Sequence, residues 1–152
     1  MTSQPQRVDR ATAGRMLAEF PALLEAATQA HANAYVPYSK FHVGAALLTG
    51  DGRIFQGCNV ESASYGATIC GERSAFVTAV TAGARKMRAV VVVTDPAEPS
   101  TPCGICRQLM VEFGRDIAVF AASTSSDVVL ATTVGDLLPA SFGAADLEET
   151  AR

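Results

Sequence analysis

Residues 89–93 read Ala-Val-Val-Val-Val, an uninterrupted run of small and β-branched side chains. Such a run is typical of a central β-strand that is covered on both faces, because a strand with one solvated face would alternate apolar and polar residues. A strand of this kind needs a layer of structure on each side of its sheet. The sequence therefore predicts a layered α/β domain built around this strand.

The segments on either side of the run predict the rest of the sheet and its helices. Phe41 to Leu48 and Arg53 to Gly57 are strand-like and are separated by the turn residues Gly50-Asp51-Gly52, which indicates a hairpin. Further strands are expected near 117–121 and 128–132, and helices over about 21–33, 70–82 and 106–113. Helices that alternate with strands after a hairpin predict a three-layer α/β/α sandwich with a mixed, mostly parallel five-stranded sheet.

The first twenty residues are interpreted as an N-terminal extension. Residues 1–8 are polar and read as a disordered lead, and Asp9 is expected to cap a short helix from about Arg10 to Glu19. Residues 21–152 are expected to form one domain, because a chain of 152 residues suits a single domain with its own core.

Composition and charge narrow the class of function. The net charge of −3 argues against nucleic acid as the main partner, since phosphate binding usually shows as a basic excess. The polar N-terminus lacks the apolar core of a secretory signal, and no window reaches the roughly 18 apolar residues of a membrane span. We therefore expect a cytoplasmic protein that acts on a small molecule and touches neither membrane nor nucleic acid.

Three cysteines have the spacing of metal ligands. Cys103 and Cys106 lie three residues apart where a helix is expected to begin, and Cys70 lies at the expected start of an earlier helix. The positive end of a helix dipole favours thiolate over thiol. The pattern predicts one zinc ion held by these three side chains.

A carboxylate next to this cluster points to catalysis. Three protein ligands leave the fourth tetrahedral position open for a water, whose pKa zinc lowers to roughly 7. Glu72, two residues after Cys70, can take up that proton and deliver it as a general acid/base. Three thiolates over-neutralise the dication, so Arg73 and Arg107 are expected to donate hydrogen bonds to sulfur and offset the excess charge.

Other interpretations of these residues stay open at this point. A lone Cys-x-x-Cys pair is more often structural or redox-active than catalytic. Cys58 could close the site as a fourth ligand, although we expect it to be a small buried residue at a strand end. His31 ends an apolar helical stripe and is expected to be a hydrogen-bonded histidine rather than a ligand.

Several longer motifs resemble one known family. The sequence is similar to the small single-domain cytidine deaminases with three cysteine ligands, over about residues 21–147. The matching segments are Tyr35-x-Pro37-Tyr38-Ser39-x-Phe41-x-Val43-Gly44-Ala45-Ala46, Gly57-Cys58-Asn59-Val60-Glu61-x-Ala63-Ser64-Tyr65-Gly66, Cys70-x-Glu72-Arg73, Pro102-Cys103-Gly104-x-Cys106-Arg107-Gln108 and Leu137-Leu138-Pro139-x-Ser141-Phe142-Gly143.

The resemblance implies a fold, a reaction and a role for each residue. It implies the cytidine deaminase-like fold and hydrolytic deamination of cytidine and deoxycytidine in pyrimidine salvage, by a zinc-activated water with Glu72 as proton shuttle. Cys70, Cys103 and Cys106 would hold one Zn²⁺ per chain, and Arg73 would tune the charge of their thiolates. The implied substrate-binding residues are Phe41 at the base, Asn59 and Glu61 at the ribose hydroxyls, and Ala63, Tyr65, Gly71 and Phe142. The resemblance also implies a homotetramer in which Tyr65 and Phe142 reach a neighbouring subunit's site.

Two departures from the family pattern leave rival functions open. Gly71 stands where the family usually has Ala, which would enlarge the pocket by a methyl group, and Ser62 replaces a common Asn. A deaminase of another aminopyrimidine nucleoside, such as blasticidin S, is therefore one alternative. A zinc-stabilised binding module without turnover is the other, although Glu72 favours an enzyme.

Overall fold

A computed structural model describes residues 4–148, and it contains one six-stranded sheet flanked by helices. The strands are β1 (Gln6–Asp9), β2 (Val43–Thr49), β3 (Ile54–Cys58), β4 (Met87–Thr94), β5 (Ala118–Ser123) and β6 (Val128–Thr133). The helices are α1 (Arg10–Met16), α2 (Phe20–Ala32), α3 (Gly71–Thr81), α4 (Gly104–Val111), α5 (Val134–Leu137) and α6 (Ala144–Glu148), with a 3₁₀ turn at Tyr65–Ala67. Within this described range no helix is both long and apolar enough to cross a membrane.

The predicted three-layer α/β architecture is confirmed. Side chains of β4 alternate between two cores, with Val90 and Val92 in one and Val91 and Val93 in the other. The first core is covered by α3, α4 and α5, and the second by α1 and α2. The Ala-Val-Val-Val-Val run is therefore the buried centre of the sheet, as its composition predicted.

The prediction of a mostly parallel sheet is wrong. The strand order is β1-β6-β5-β4-β2-β3, and among these strands of residues 4–148 only β4 and β5 pair in parallel. Helix α3 carries the chain from β3 over β2, so β3 and β4 run in the same direction but are separated by the antiparallel strand β2. The remaining neighbours are antiparallel, including the β5–β6 hairpin.

The sixth strand comes from the N-terminal extension. Residues 6–9 pair antiparallel with β6, with Val8 opposite Val129, so this part of the predicted disordered lead is ordered. Residues 1–3 of that lead lie outside the described residues. The predicted cap at Asp9 is confirmed, because its carboxylate accepts a hydrogen bond from the backbone N–H of Thr12 at 2.6 Å.

Two glycines let the helices approach the sheet closely at one end. A Cβ on Gly44 would lie 2.0 Å from the carbonyl oxygen of Ala27 in α2. A Cβ on Gly57 would lie 2.3 Å from the backbone nitrogen of Ala75 in α3. Both separations are far inside van der Waals contact, so only glycine permits this packing.

The candidate site lies at the same end of the sheet. Val43 at the start of β2 pairs with Thr94 at the end of β4, and Gly44 pairs with Cys58 at the end of β3. The loops that leave β3 and β4 lead to α3 and α4, respectively. Two helix N-termini and three strand ends therefore meet there.

Candidate active site

The three predicted ligands form one cluster. Cys70 Sγ lies 3.7 Å from Cys103 Sγ, which lies 3.5 Å from Cys106 Sγ, and all three atoms are within 4.8 Å of one another. Cys70 and Cys103 are the N-cap residues of α3 and α4, both with extended backbone, and Cys106 is in the first turn of α4. The loop-to-helix transitions therefore bring together thiols that are more than thirty residues apart in sequence.

The spacing of the sulfurs fits a tetrahedral zinc ion. Two thiolates on zinc, each about 2.3 Å from the metal, are about 3.8 Å apart at the tetrahedral angle. Two of the three separations, at 3.7 Å and 3.5 Å, are close to this value. Thiolate ligands also favour zinc over the hard cations Mg²⁺ and Ca²⁺.

The surroundings of Cys70 favour the thiolate form of its side chain. The Cys106 thiol is the main group that lowers the pKa of Cys70, to about 5, against the opposing effect of burial, with help from Cys103 and the Arg73 guanidinium. The shared proton and burial correspondingly raise the pKa of Cys106. Cys58 is a half-buried strand-end residue whose Sγ lies 3.6 Å from the carbonyl oxygen of Asn33, and it does not belong to the cluster formed among the described residues.

Glu72 is a buried carboxyl group beside the thiols. Its side chain is 5% exposed in the first turn of α3. Burial raises the pKa of Glu72 to about 7, because the charged form loses solvation, and the nearby Cys70 charge adds to this rise. A carboxyl group in this environment can both accept and donate a proton near neutral pH.

The two arginines have different surroundings. Arg73 lies near Cys70, donates to the carbonyl oxygen of Thr68 at 2.6 Å, and leaves its buried Nε without a partner among the described residues. The Arg107 guanidinium donates three described hydrogen bonds, all to oxygen atoms. The acceptors are Pro102 O at 2.6 Å, Thr101 Oγ1 at 2.9 Å and Leu137 O at 2.9 Å. Arg107 therefore braces the loop before Cys103, and its predicted contact with sulfur is absent from these bonds.

A cavity of about 300 Å³ opens onto the cluster. It is lined by Ser39, Phe41, Val43, Asn59, Glu61, Thr68, Cys70, Glu72, Val92, Thr94, Ser100, Thr101 and Cys103. Six of the predicted site residues are in this lining, namely Phe41, Asn59, Glu61, Cys70, Glu72 and Cys103. The volume lies at the lower end of the range typical for small-molecule pockets.

Asn59 and Glu61 organise the loops that line the cavity. Asn59 is 8% exposed, accepts from the backbone N–H of Val43 at 2.9 Å and donates to the carbonyl oxygen of Phe41 at 2.9 Å. Glu61 Oε2 accepts from the backbone N–H groups of Tyr38 and Ser39, at 2.9 Å and 3.2 Å. The Ser39 hydroxyl is the main group that lowers the pKa of Glu61.

Three exposed residues among the predicted substrate-binding set lie outside the cavity lining. Tyr65 is 75% exposed, packs edge-on against Tyr38 at 5.8 Å between ring centroids, and lines an adjoining hollow of about 370 Å³. Phe142 is 60% exposed, and its carbonyl oxygen accepts from Gln108 at 2.9 Å. Ala63 is also exposed.

Gly71 does not enlarge the cavity as the sequence suggested. It is buried and is not part of the lining. The Cβ that it lacks would lie 3.2 Å from Val43 Cγ1 and Val43 O, and 3.4 Å from Gly57 O. The missing methyl group therefore faces the sheet.

Sequence reasoning missed several polar lining residues. Thr94 is 1% exposed, and its hydroxyl accepts from the backbone N–H of Ser100 at 3.2 Å, which shapes the loop before the second thiol pair. Thr101 is held by Arg107. The only sequence signal for Ser100 and Thr101 was their place in a Pro-rich loop that ends at Cys103, and Thr94 lies at the end of β4.

The layered α/β fold and a three-thiol cluster with a buried carboxyl group beside it, open to a cavity, are the features of a zinc-dependent hydrolase. Residues 19–122 match the family model described as the cytidine and deoxycytidylate deaminase zinc-binding region, and the chain belongs to this family.

Similar proteins extend this match over most of the chain. A cytidine deaminase from Sporosarcina psychrophila is 45% identical over 130 residues, which cover 85% of this chain and 95% of that protein. The crystal structure of a cytidine deaminase from Burkholderia pseudomallei superposes with a TM-score of 0.77 and 49% sequence identity, covering 80% of this chain and 98% of the other. A blasticidin-S deaminase from Bacillus cereus is more distant, at 29% identity over 128 residues, which cover 79% of this chain and 89% of that protein.

Proposed function

We propose that the protein hydrolyses cytidine and deoxycytidine to uridine and deoxyuridine, with release of ammonia. The observation that carries this proposal is the position of Glu72, which is buried beside three converging thiols in the lining of one cavity. The 45% identity to a cytidine deaminase favours this substrate over blasticidin S, whose deaminase is 29% identical.

Cys70, Cys103 and Cys106 would hold one zinc ion per chain. A bound zinc ion would supply an acidified water for attack on the amino-bearing carbon of the pyrimidine. Glu72 would take one proton from that water and deliver it to the ring nitrogen beside the attacked carbon. It would then carry the proton of the added hydroxyl to the amino group, which leaves as ammonia while a carbonyl forms in its place. The burial of Glu72 keeps bulk water from competing for this proton.

Nucleoside binding would use the cavity and the adjoining hollow together. The two share Ser39, Glu61 and Thr68, so a base can lie near the thiols while a sugar extends outward. The amide of Asn59 uses one donor and one acceptor for the backbone, and each of its polar groups has one further bond available to a ribose hydroxyl. The carboxylate of Glu61 can accept from a second hydroxyl, while Phe41 packs against the base.

The assembly and setting of the enzyme are part of the proposal. The proposal includes a homotetramer in which Tyr65 and Phe142 reach a neighbouring subunit's site, and both rings are exposed and therefore available for such a contact. Light scattering on the zinc-loaded protein should give four times the 15.8 kDa chain mass. Free thiols that must stay reduced support a cytoplasmic enzyme, and its substrate fits pyrimidine salvage.

The deciding experiment compares wild-type protein with Glu72→Gln on cytidine, deoxycytidine and blasticidin S. We expect ammonia release from the two nucleosides, a loss of about 10²- to 10⁴-fold in kcat for the variant, and one zinc per chain in both proteins. Turnover of blasticidin S alone would show that the rival nucleoside, and not cytidine, is the substrate. Zinc binding without turnover of any of the three would indicate a binding module.

A further inference from the structure

The two histidines of the chain converge on one carboxylate behind the cavity. Asp95 Oδ1 lies 2.8 Å from His31 Nε2, and Asp95 Oδ2 lies 3.3 Å from His42 Nδ1. The two imidazole rings are 5.5 Å apart. We refer to His31, His42 and Asp95 as the His–Asp–His cluster, and neither the proposed chemistry nor the proposed nucleoside contacts use it.

We refer to residues 41–43 as the cavity wall. Two members of the His–Asp–His cluster are direct neighbours in sequence of residues that line the cavity. His42 lies between Phe41 and Val43, both of which line the cavity. Asp95 directly follows Thr94, another lining residue at the end of β4. The three residues of the cluster are therefore placed to act on the wall from behind, without contacting a substrate.

Side chains hold the backbone of this wall at three successive residues. Asn59 binds the carbonyl oxygen of Phe41 and the N–H of Val43, as described above. The N–H of the residue between them, His42, donates to Asp95 Oδ2 at 3.0 Å. Asn59 and Asp95 therefore clamp residues 41–43 from two sides before the regular pairing of β2 takes over.

Asp95 is itself fixed by two other parts of the fold. Its carboxylate is bound by His31 on α2, and its carbonyl oxygen accepts from the Ser125 hydroxyl in the β5–β6 turn at 2.9 Å. A carboxylate anchored in this way loses little additional freedom when it binds the His42 N–H, so the bond it makes to the wall is well defined.

We propose that Asp95 is a positioning residue that sets substrate affinity by holding Phe41 and Val43 in place against the pyrimidine base, with His31 orienting its carboxylate. The proposal rests on the deaminase function proposed above. The wall binds the base equally in the ground state and the transition state, so its displacement raises KM and leaves kcat almost unchanged.

The kinetic test compares Asp95→Ala and Asp95→Asn with Asp127→Ala, an exposed carboxylate of the β5–β6 turn that serves as control. We expect Asp95→Ala to raise KM for cytidine about tenfold with kcat within about twofold of wild type. Asp95→Asn should recover most of the affinity, because its amide oxygen can still accept the His42 N–H. A loss of kcat at unchanged KM, or a lower melting temperature with both constants unchanged, would overturn the proposal.

A second readout is independent of turnover. Hydrogen exchange of the substrate-free protein should be faster in the peptide that contains residues 41–43 in Asp95→Ala, and close to wild type in Asp95→Asn and Asp127→Ala. Unchanged exchange in that peptide would refute the clamp even if KM rose. A wild-type protein that turned over no nucleoside would contradict the deaminase function, while the exchange result would still decide whether Asp95 holds the wall.

Discussion

The Cβ that Gly71 lacks would lie 3.2 Å from Cγ1 of Val43, a separation that requires a shift of a few tenths of an ångström. An alanine at this first residue of α3 restricts the unfolded chain and so gains up to about 1 kcal/mol over glycine, which opposes the cost of that shift. We therefore expect Gly71→Ala to change the free energy of unfolding by less than about 1 kcal/mol. Gly71→Val overfills the contact and should cost about 1–3 kcal/mol. Urea denaturation measures both, and equal stability of the two variants would contradict the contact.

Removal of the metal should make the three clustered thiols available to a thiol reagent. Chelation of the loaded protein is expected to raise the number of reactive thiols by three, with Cys70 and Cys103 reacting first and the buried Cys106 more slowly. It should also lower stability by about 4 kcal/mol if zinc had been present at a thousandfold excess over its dissociation constant. In Cys58→Ala the increase should still be three, because Cys58 stands apart from the cluster. An increase of four in wild type would instead make Cys58 a ligand.

Arg73 and Arg107 should respond differently to the same change. Arg73→Gln removes a positive charge beside Cys70, so zinc affinity should fall about 10- to 100-fold. Arg107→Gln loses hydrogen bonds to Pro102 and Leu137, so it should lower the free energy of unfolding by about 1–3 kcal/mol with zinc affinity nearly unchanged. Competition with a chromophoric chelator and urea denaturation separate the two effects. The reverse assignment would show that Arg107 is the residue that tunes the thiolates.

The charge state of Asp95 predicts a component of acid stability. Burial acts to raise the pKa of Asp95, but hydrogen bonds from the backbone N–H of His42 and from His31 outweigh it and hold the pKa below its usual value. The stabilisation is therefore complete above the unfolded-state pKa of about 3.9, and is lost as the pH falls through the lower folded-state pKa. Asp95→Asn should show a shallower decline in unfolding free energy between about pH 5 and pH 3. An identical slope in both proteins would contradict this assignment.

The parts of the fold that sequence reasoning recovered are those that local chemistry determines. The valine run predicts a buried strand from its composition alone, and a helical stripe that follows a loop predicts where α3 and α4 begin. The relative direction of neighbouring strands could not be predicted, because it depends on which strands pair. Helix α3 passes over β2 before β4 begins, so β4 pairs with β2 and not with β3. Strand β1 was missed for a related reason. Its sequence is polar except for Val8, and only the exposed edge of β6 makes it a strand.

In the site, too, residue type and local spacing were predictable, whereas features that depend on packing between distant segments were not. The ligands and Glu72 follow from residue type and spacing, whereas the direction of a missing methyl group at Gly71 depends on how closely α3 lies on the sheet. The role of Asp95 was hidden because its partners are separated from it by 64 and 53 residues. Nothing in a Pro-rich loop indicates that its first carboxylate binds the backbone of a distant strand.

The two glycines that admit the helices to the sheet also limit how the cavity can be redesigned. The backbone of Gly44 contacts the backbone of Ala27, and the backbone of Gly57 contacts that of Ala75. Any side chain at either glycine would therefore displace a helix together with the site residues at its end. Libraries aimed at larger or differently substituted bases should keep both glycines fixed. Variation belongs at Phe41, Ser100 and Thr101, where the lining consists of side chains on loops.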